Sequence, residues 1–166
     1  DSLADIKQAL AIDVARAAEK LRRQNSVTSF IAIFIRTDPF KTHYYSKSIG
    51  IKLPYPISDT PTLIKYATFG LEKIFIKGYK YKKAGVMLTA ITQSKDVQLN
   101  FSVDDYLSHI KRYEKITESI DRINKRWGRD TIKVASMGVN NNLKMRHERK
   151  SPQYTTNLEE LLNVYL

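Results

Sequence analysis

The spacing of apolar residues along the first part of the chain changes between a helical and a strand period, and each change marks an element. Apolar residues at steps of three and four predict an amphipathic helix over residues 2–24. Ser2 and Asp5 have the spacing of a capping pair at its start, and Asn25 is a residue type at which such a helix ends.

Three segments have strand character, and a second helix precedes the last of them. The predicted strands are Val27–Arg36, Ser46–Leu53 and Lys80–Thr92. The first is almost continuously apolar, which is typical of a central strand covered on at least part of both faces, whereas the second alternates and has one polar face. In the helix, Thr60 is the predicted N-cap, Pro61 a first helical residue and Gly78 the stop.

This order lacks only a leading strand to be the split β-α-β repeat of ferredoxin-like folds. We therefore expect an α+β fold in which an antiparallel sheet carries two helices. The missing first strand would be central in that order. Its absence predicts a gap or an exposed edge, which another chain could fill by strand pairing.

The remaining residues are more polar and less periodic. Residues 94–105 are predicted to be a linker. A third helix is predicted over Tyr106–Trp127, followed by a short strand over Thr131–Ala135, a turn at Asn140–Asn142 and an apolar tail. These elements would form a small α/β C-terminal region.

Charge is the feature of the composition that bears most on function. The 166 residues carry a formal charge of +11, and residues 1–95 hold 16 Lys and Arg against 7 Asp and Glu. Such an excess favours a polyanionic partner, usually nucleic acid, although a solvated basic surface also has it. Cysteine is absent, which excludes disulfides and fits a cytoplasmic location. No signal-peptide pattern follows Asp1, and the lack of an initial Met suggests a piece of a longer protein.

No catalytic or metal site is predicted. The histidines His43, His109 and His147 form no close-spaced ligand pair, and adjacent Asp104 and Asp105 are more typical of a turn or a helix start. The sequence has neither a Gly-rich phosphate loop nor a nucleophile elbow. Neither an enzyme nor a bound cofactor is therefore expected from these residues.

Lysines cluster instead between the second helix and the last strand. Lys77, Lys80, Lys82 and Lys83 have two tyrosines between them, which suits phosphate contacts but is also typical of a solvated basic turn. A second basic set on the third helix is interrupted by acidic residues, which favours helical ion pairs there.

Five strings, in this order and spacing, resemble a known family. They are Ala15–Arg22, Phe30–Phe40 (FIAIFIRTDPF), Tyr79–Leu88, Ile123–Arg129, and Met145–Arg146 with Ser151–Thr156. Together they resemble the C-terminal half of UmuC-type proteins, the Y-family translesion polymerases that include the catalytic subunit of bacterial DNA polymerase V. The resemblance implies a little finger, the DNA-binding domain of these enzymes, over residues 1–93, the linker over 94–105, and a UmuC-type C-terminal region over 106–166.

The resemblance also implies binding sites. The family's little finger lays its sheet along the major groove of primer-template duplex DNA and contacts mainly phosphates. The candidate DNA-binding residues are Arg36, Lys47, Lys52, Lys80, Lys82 and Lys83. Arg36 is equally suited to an ion pair at the strand end. In the linker, Gln98, Leu99 and Phe101 resemble a clamp-binding peptide, but Ser102 stands where the fuller motif has an apolar anchor, so an ordinary linker remains an alternative.

By the same resemblance, catalysis lies elsewhere. The family's catalytic carboxylates belong to an upstream palm domain, so this chain is expected to be the non-catalytic part of a polymerase that uses Mg²⁺ and dNTPs in that palm. The implied partners are primer-template DNA, a sliding clamp, the processed UmuD dimer and RecA, and the implied role is SOS mutagenesis and DNA damage tolerance.

Two other classes of protein stay open. One is an RNA-binding module that stacks bases on Phe30 and Phe34, although so apolar a strand favours burial of both rings in the core. The other is a protein-interaction domain, for which no salt-dependent binding of DNA is expected.

Overall fold

The structure, a computed structural model, describes residues 2–41, 43–97, 104–139, 151–152, 156–157 and 159, with the backbone alone over 104–112 and at 114. Its helices are α1 (Leu3–Arg23), α2 (Thr60–Ile74) and α3 (Asp104–Trp127), and its strands are β1 (Ser26–Thr37), β2 (Ser46–Ile57) and β3 (Tyr81–Gln93). Short 3₁₀ turns follow at Ser94–Asp96 and Ala135–Met137. None of the described helices is long and apolar enough to cross a membrane.

The three strands form one antiparallel sheet in the order β2-β1-β3. The predicted α+β class, with two helices packed on an antiparallel sheet, is confirmed. Of the predicted gap or exposed edge, the gap is wrong, because β3 pairs directly with β1 along nearly its whole length. In the described part of the chain, the outer sides of β2 and β3 are the edges of this sheet.

The core lies between the sheet and the two helices α1 and α2. Ile31, Ile33 and Ile35 of β1 have no exposed surface and form the row on which both helices pack. The approach of α2 is close, since a Cβ on Gly70 would lie 2.7 Å from Cδ1 of Ile33. One face of the sheet is thereby covered by helices.

The structure confirms the predicted N-terminal cap of α1 but shows different ends for α2. Ser2 and Asp5 form the predicted capping box of α1, with the Asp5 amide donating to Ser2 Oγ at 3.2 Å. The N-cap of α2 is Asp59, not Thr60, because the Asp59 carboxylate accepts from the Thr62 amide at 2.9 Å. This helix ends at Ile74, four residues before Gly78, the predicted stop. The chain becomes extended at Phe75.

The predicted strand over Thr131–Ala135 is wrong, because a side chain takes the place of a partner strand. The Asn124 amide nitrogen donates to the Ile132 carbonyl and its oxygen accepts from the Ile132 N–H, both at 2.9 Å. The chain then turns at Ala135–Met137 and buries Met137 against the α1 core, where Gln8 donates to the Met137 carbonyl at 3.2 Å.

Arg22, near the end of α1, joins α3 to the rest of the fold. Its Nε and Nη2 donate to the two carboxylate oxygens of Asp121 at 2.6 and 2.9 Å. Its Nη1 donates to the Ser58 carbonyl at 2.7 Å and to Thr60 Oγ1 at 3.1 Å. A bidentate arginine pair of this kind fixes orientation as well as distance, so α3 is held against the helical side of the sheet.

Replacing Arg22 with Ala should destabilise the fold by about 2 kcal/mol, because the partly buried Asp121 carboxylate and two further acceptors lose their hydrogen-bond donor. Urea unfolding followed by circular dichroism measures this. Arg23→Ala is the matched control: the Arg23–Glu19 pair is exposed, so its loss should cost less than about 0.5 kcal/mol. Equal effects of the two substitutions would contradict the joining role of Arg22.

Candidate nucleic-acid interface

The face of the sheet turned away from α1 and α2 is left uncovered in the described part of the chain, and we call it the open face. Because side chains alternate along a strand, the residues between the buried core positions point to it. They are Phe30, Ala32, Phe34 and Arg36 of β1, Ser48, Gly50 and Lys52 of β2, and Lys83, Gly85, Met87 and Thr89 of β3.

The sheet is positively charged without compensation from its own strands. They carry five basic residues, Arg36, Lys47, Lys52, Lys82 and Lys83, and no Asp or Glu. A surface with one sign of charge attracts polyanions and raises their rate of encounter. Five basic residues therefore lie in the sheet, and three of them, Arg36, Lys52 and Lys83, lie on the open face.

Arg36 and Lys83 are direct cross-strand partners on the open face. Like charges placed directly opposite each other on a sheet are destabilising. Within the described residues neither has an ion-pair partner, so the ion pair considered for Arg36 is not formed there. An anion bound between the two side chains would relieve their repulsion, which makes this pair the strongest candidate for a phosphate contact.

The structure separates the other predicted DNA-binding residues. Lys52 lies on the open face opposite Phe30. Lys47 pairs with Ile35 and so belongs to the helix side, at the exposed start of β2. Lys80 is exposed in the loop before β3. The clamp-peptide residues Gln98, Leu99 and Phe101 lie outside the described residues.

Lys82 is already neutralised within the fold. Its Nζ lies 3.0 Å from the Asp38 carboxylate, which also accepts from the Phe40 amide at 3.2 Å. The hydrogen bond from Lys82, and after it that from Phe40, lower the pKa of Asp38. The carboxylate therefore stays charged at any ordinary pH and competes with an external anion for Lys82.

The tyrosines between the lysines pack inward, so they are not free to stack on bases. Tyr79 and Tyr81 contact Tyr45, with ring centroids 5.1 and 6.2 Å away. Tyr45 Oη donates to the Ile74 carbonyl at 2.7 Å, and Tyr81 Oη bonds to both backbone groups of Ile76. This cluster binds the loop after α2 to the turn after β1, and thereby positions Lys80.

Phe30 and Phe34 lie on the open face, so the prediction that they are buried in the core is wrong. Phe34 is 36% exposed. The Phe30 ring reaches over Gly50 and the Phe34 ring over Gly85. The period-two alternation around Ile31, Ile33 and Ile35 contains the signal for this placement, but a nearly continuous apolar run conceals it.

Chemistry of other kinds finds little support among the described residues. No group of three or more His, Cys, Asp or Glu is placed there to hold a metal ion. A cavity of about 520 Å³ lies between α1 and α3, lined by residues such as Arg22, Ile116, Ile120 and Met137. It lies where Arg22 of α1 pairs with Asp121 of α3, on the opposite side of the fold from the open face.

Models of two known families match separate parts of the chain. The C-terminal domain of the impB/mucB/samB family matches residues 1–101, which contain the whole sheet together with α1 and α2. The chain therefore belongs to this family. A second model, described as a domain of unknown function (DUF4113), matches residues 114–164.

Individual relatives match over almost the whole chain. UmuC of Salmonella typhimurium is 35% identical over 162 residues, which cover 96% of this chain and 38% of that protein. SamB of Salmonella typhimurium is 35% identical over 153 residues and MucB of Escherichia coli 34% over 158, covering 35% and 36% of those proteins. The chain thus spans little more than a third of the length of these curated relatives, and it is similar to the C-terminal region of UmuC.

Replacing Asp38 with Asn should strengthen binding to a polyanion, because it frees Lys82 while an Asn oxygen can still accept from the Phe40 amide. We expect elution from heparin at higher salt, and because the hydrogen bonds from Lys82 and Phe40 lower the pKa of Asp38, the difference should persist as the pH falls to the ordinary Asp pKa of about 4. Glu72→Gln is the control: it removes one carboxylate, paired with Lys7, from the helical layer. An equal shift in both variants would mean that net charge alone governs binding.

Proposed function

We propose that this chain is the non-catalytic, duplex-DNA-binding and partner-docking part of an error-prone translesion DNA polymerase. Family membership supports the polymerase context. The observation that carries the DNA-binding role is the open face: a sheet without strand carboxylates, on which Arg36 and Lys83 oppose each other directly. Its ligand is the phosphate backbone of primer-template DNA.

Phosphate contacts suit this role better than contacts to base edges. Contacts from Lys and Arg side chains to phosphates fix the position of a duplex and carry no direct sequence information. At the positions defined above, the open face has no Asn or Gln to pair with adenine and no Asp or Glu to accept from cytosine, which limits base readout there. A translesion polymerase must hold any sequence behind a damaged template base, which sequence-independent binding permits.

The catalytic step belongs, in this proposal, to a palm domain that holds Mg²⁺ and the incoming dNTP. The described residues provide no acidic cluster for such ions. The contribution of this chain is to hold the duplex in place, and no step of nucleotide transfer is assigned to its residues.

The docking half of the proposal concerns the other side of the molecule. α3 and the turn at Ala135–Met137 pack on the helical side through Arg22 and Gln8, so these described parts of the region leave the open face free for DNA. The linker residues Gln98, Leu99 and Phe101 are the proposed contact with a sliding clamp. The processed UmuD dimer and RecA are further partners proposed from the resemblance.

A second candidate function is binding of single-stranded RNA. The placement of Phe30 and Phe34 on the open face favours it, since RNA-binding sheets stack bases on strand aromatics between basic residues. Duplex DNA remains the first candidate because the family match covers the entire sheet. Competition between a labelled DNA duplex and unlabelled single-stranded RNA separates the two, and stronger binding of the RNA would favour the second candidate.

Fluorescence anisotropy with a mixed-sequence DNA duplex at several salt concentrations tests the first candidate. We expect affinity to fall steeply with salt, and Lys83→Ala to make the slope of log K against log salt shallower by about 0.9, the loss of one phosphate contact. Arg36→Ala should behave likewise, because the two side chains share the site.

Lys20→Ala is the matched control for this experiment. Lys20 is an exposed lysine on α1, in the layer away from the open face, so its removal changes the net charge equally without touching the site. A wild-type chain that shows no salt-dependent binding would refute the DNA-binding role. A Lys20→Ala effect as large as that of Lys83→Ala would refute its placement on the open face.

A further inference from the structure

Two glycines lie beneath the aromatic rings of the open face. A Cβ on Gly85 would lie 2.5 Å from Cζ and 2.8 Å from Cε1 of Phe34, and one on Gly50 would lie 2.8 Å from Cε1 of Phe30. Real Cβ atoms do not approach ring carbons so closely, so any larger residue would displace the ring. Each ring therefore lies across the backbone of a neighbouring strand, Phe30 toward β2 and Phe34 toward β3.

The rings reach these glycines by different routes. Gly85 is the direct cross-strand partner of Phe34, whereas Phe30 pairs with Lys52 and leans diagonally over Gly50, the partner of Ala32. Because β1 is central, the two rings cover the seams on its two sides. Both rings therefore lie over the neighbouring strand and do not project perpendicular to the sheet.

Apart from the exposed but flexible Met87 beside Ala32, the middle of the open face is low as a consequence, and its ends are basic. Gly50, Gly85, Ala32 and Ser48 contribute little height between the charged positions. Lys52 lies opposite Phe30, and the Arg36–Lys83 pair lies six residues farther along β1, about 20 Å in an extended strand. A stiff polyanion can touch both ends together only if nothing in the middle holds it away.

We propose that Gly50 and Gly85 are positioning residues of the DNA-binding face. Because these residues have no Cβ, the Phe30 and Phe34 rings lie flat against the sheet, and a duplex can approach the sheet closely enough to contact both basic ends at once. The inference rests on the proposed function and deepens it. Glycine inside a strand normally costs stability, and it often marks a close approach by a ligand or another backbone; on this face the glycines serve that approach.

The experiment uses the full chain, the same mixed-sequence duplex and the same salt series. Gly85→Ala should raise the Phe34 ring and weaken binding about tenfold, with a slope shallower by about 0.9 or more as phosphate contacts are lost. Adding Phe34→Ala to Gly85→Ala removes the raised ring and should return both affinity and slope toward the wild-type values. Because removing the ring would also relieve any clash that destabilises Gly85→Ala, circular dichroism and the melting temperature of each variant are measured first, and binding is compared only between folded variants.

Gly70→Ala is the control for the glycine substitution itself. Its Cβ would meet Ile33 on the other face of the same sheet, so we expect a lower melting temperature with an unchanged salt slope. If Gly85→Ala does not fold, the same comparison is made at Gly50, between Gly50→Ala and the double variant Gly50→Ala with Phe30→Ala.

The possible results separate the two levels of the proposal. If the wild-type chain binds DNA with a steep salt dependence and folded Gly85→Ala binds equally well, this inference is overturned while the proposed function stands. The same holds if the double variant is as weak as Gly85→Ala. If the wild-type chain shows no salt-dependent binding, both fall.

Discussion

The arrangement of this protein depends on the alternation of side chains along β1. Ile31, Ile33 and Ile35 point to the helices and are fully buried, so the residues between them must point the other way. Burial of three isoleucines is worth several kcal/mol, about 2 for each, which fixes this assignment of faces. A slip of one residue would put Arg36 into the core and the isoleucines into water.

That constraint divides the molecule into two working sides. The helical side is occupied by contacts within the chain: α1 and α2 cover the sheet, and Arg22 and Met137 bring the following region onto them. The open face receives none of these contacts among the described residues. The first matched family model covers the sheet with α1 and α2, and the second covers the region that follows. The described part of that second region, up to residue 139, is attached through Arg22 and Gln8 and does not cover the surface proposed for DNA.

Sequence patterns predicted the elements well because each has a strong local period. They could not give the strand order, since pairing of β3 with β1 depends on the path of α2 across the sheet and not on either strand alone. The N-cap at Asp59 was missed because the adjacent Thr60 is also a capping residue type, although Asp is the stronger of the two. The failed strand after α3 shows the same limit: Asn124, seven or more residues earlier, takes up the backbone groups that a strand would need to pair.

For the site, the sequence provided the right kind of residue but not its setting. Lys82 and Lys83 are adjacent and equivalent in the sequence, yet one is paired with Asp38 and the other faces Arg36 across the sheet. The second arrangement works against stability when no ligand is bound, because like charges repel. A fold tolerates such a cost where binding offsets it, and the like-charge pair and the glycines under the rings both fall on the open face. Two departures from what a stable sheet would favour therefore lie on the same surface, which supports the polyanionic ligand proposed for it.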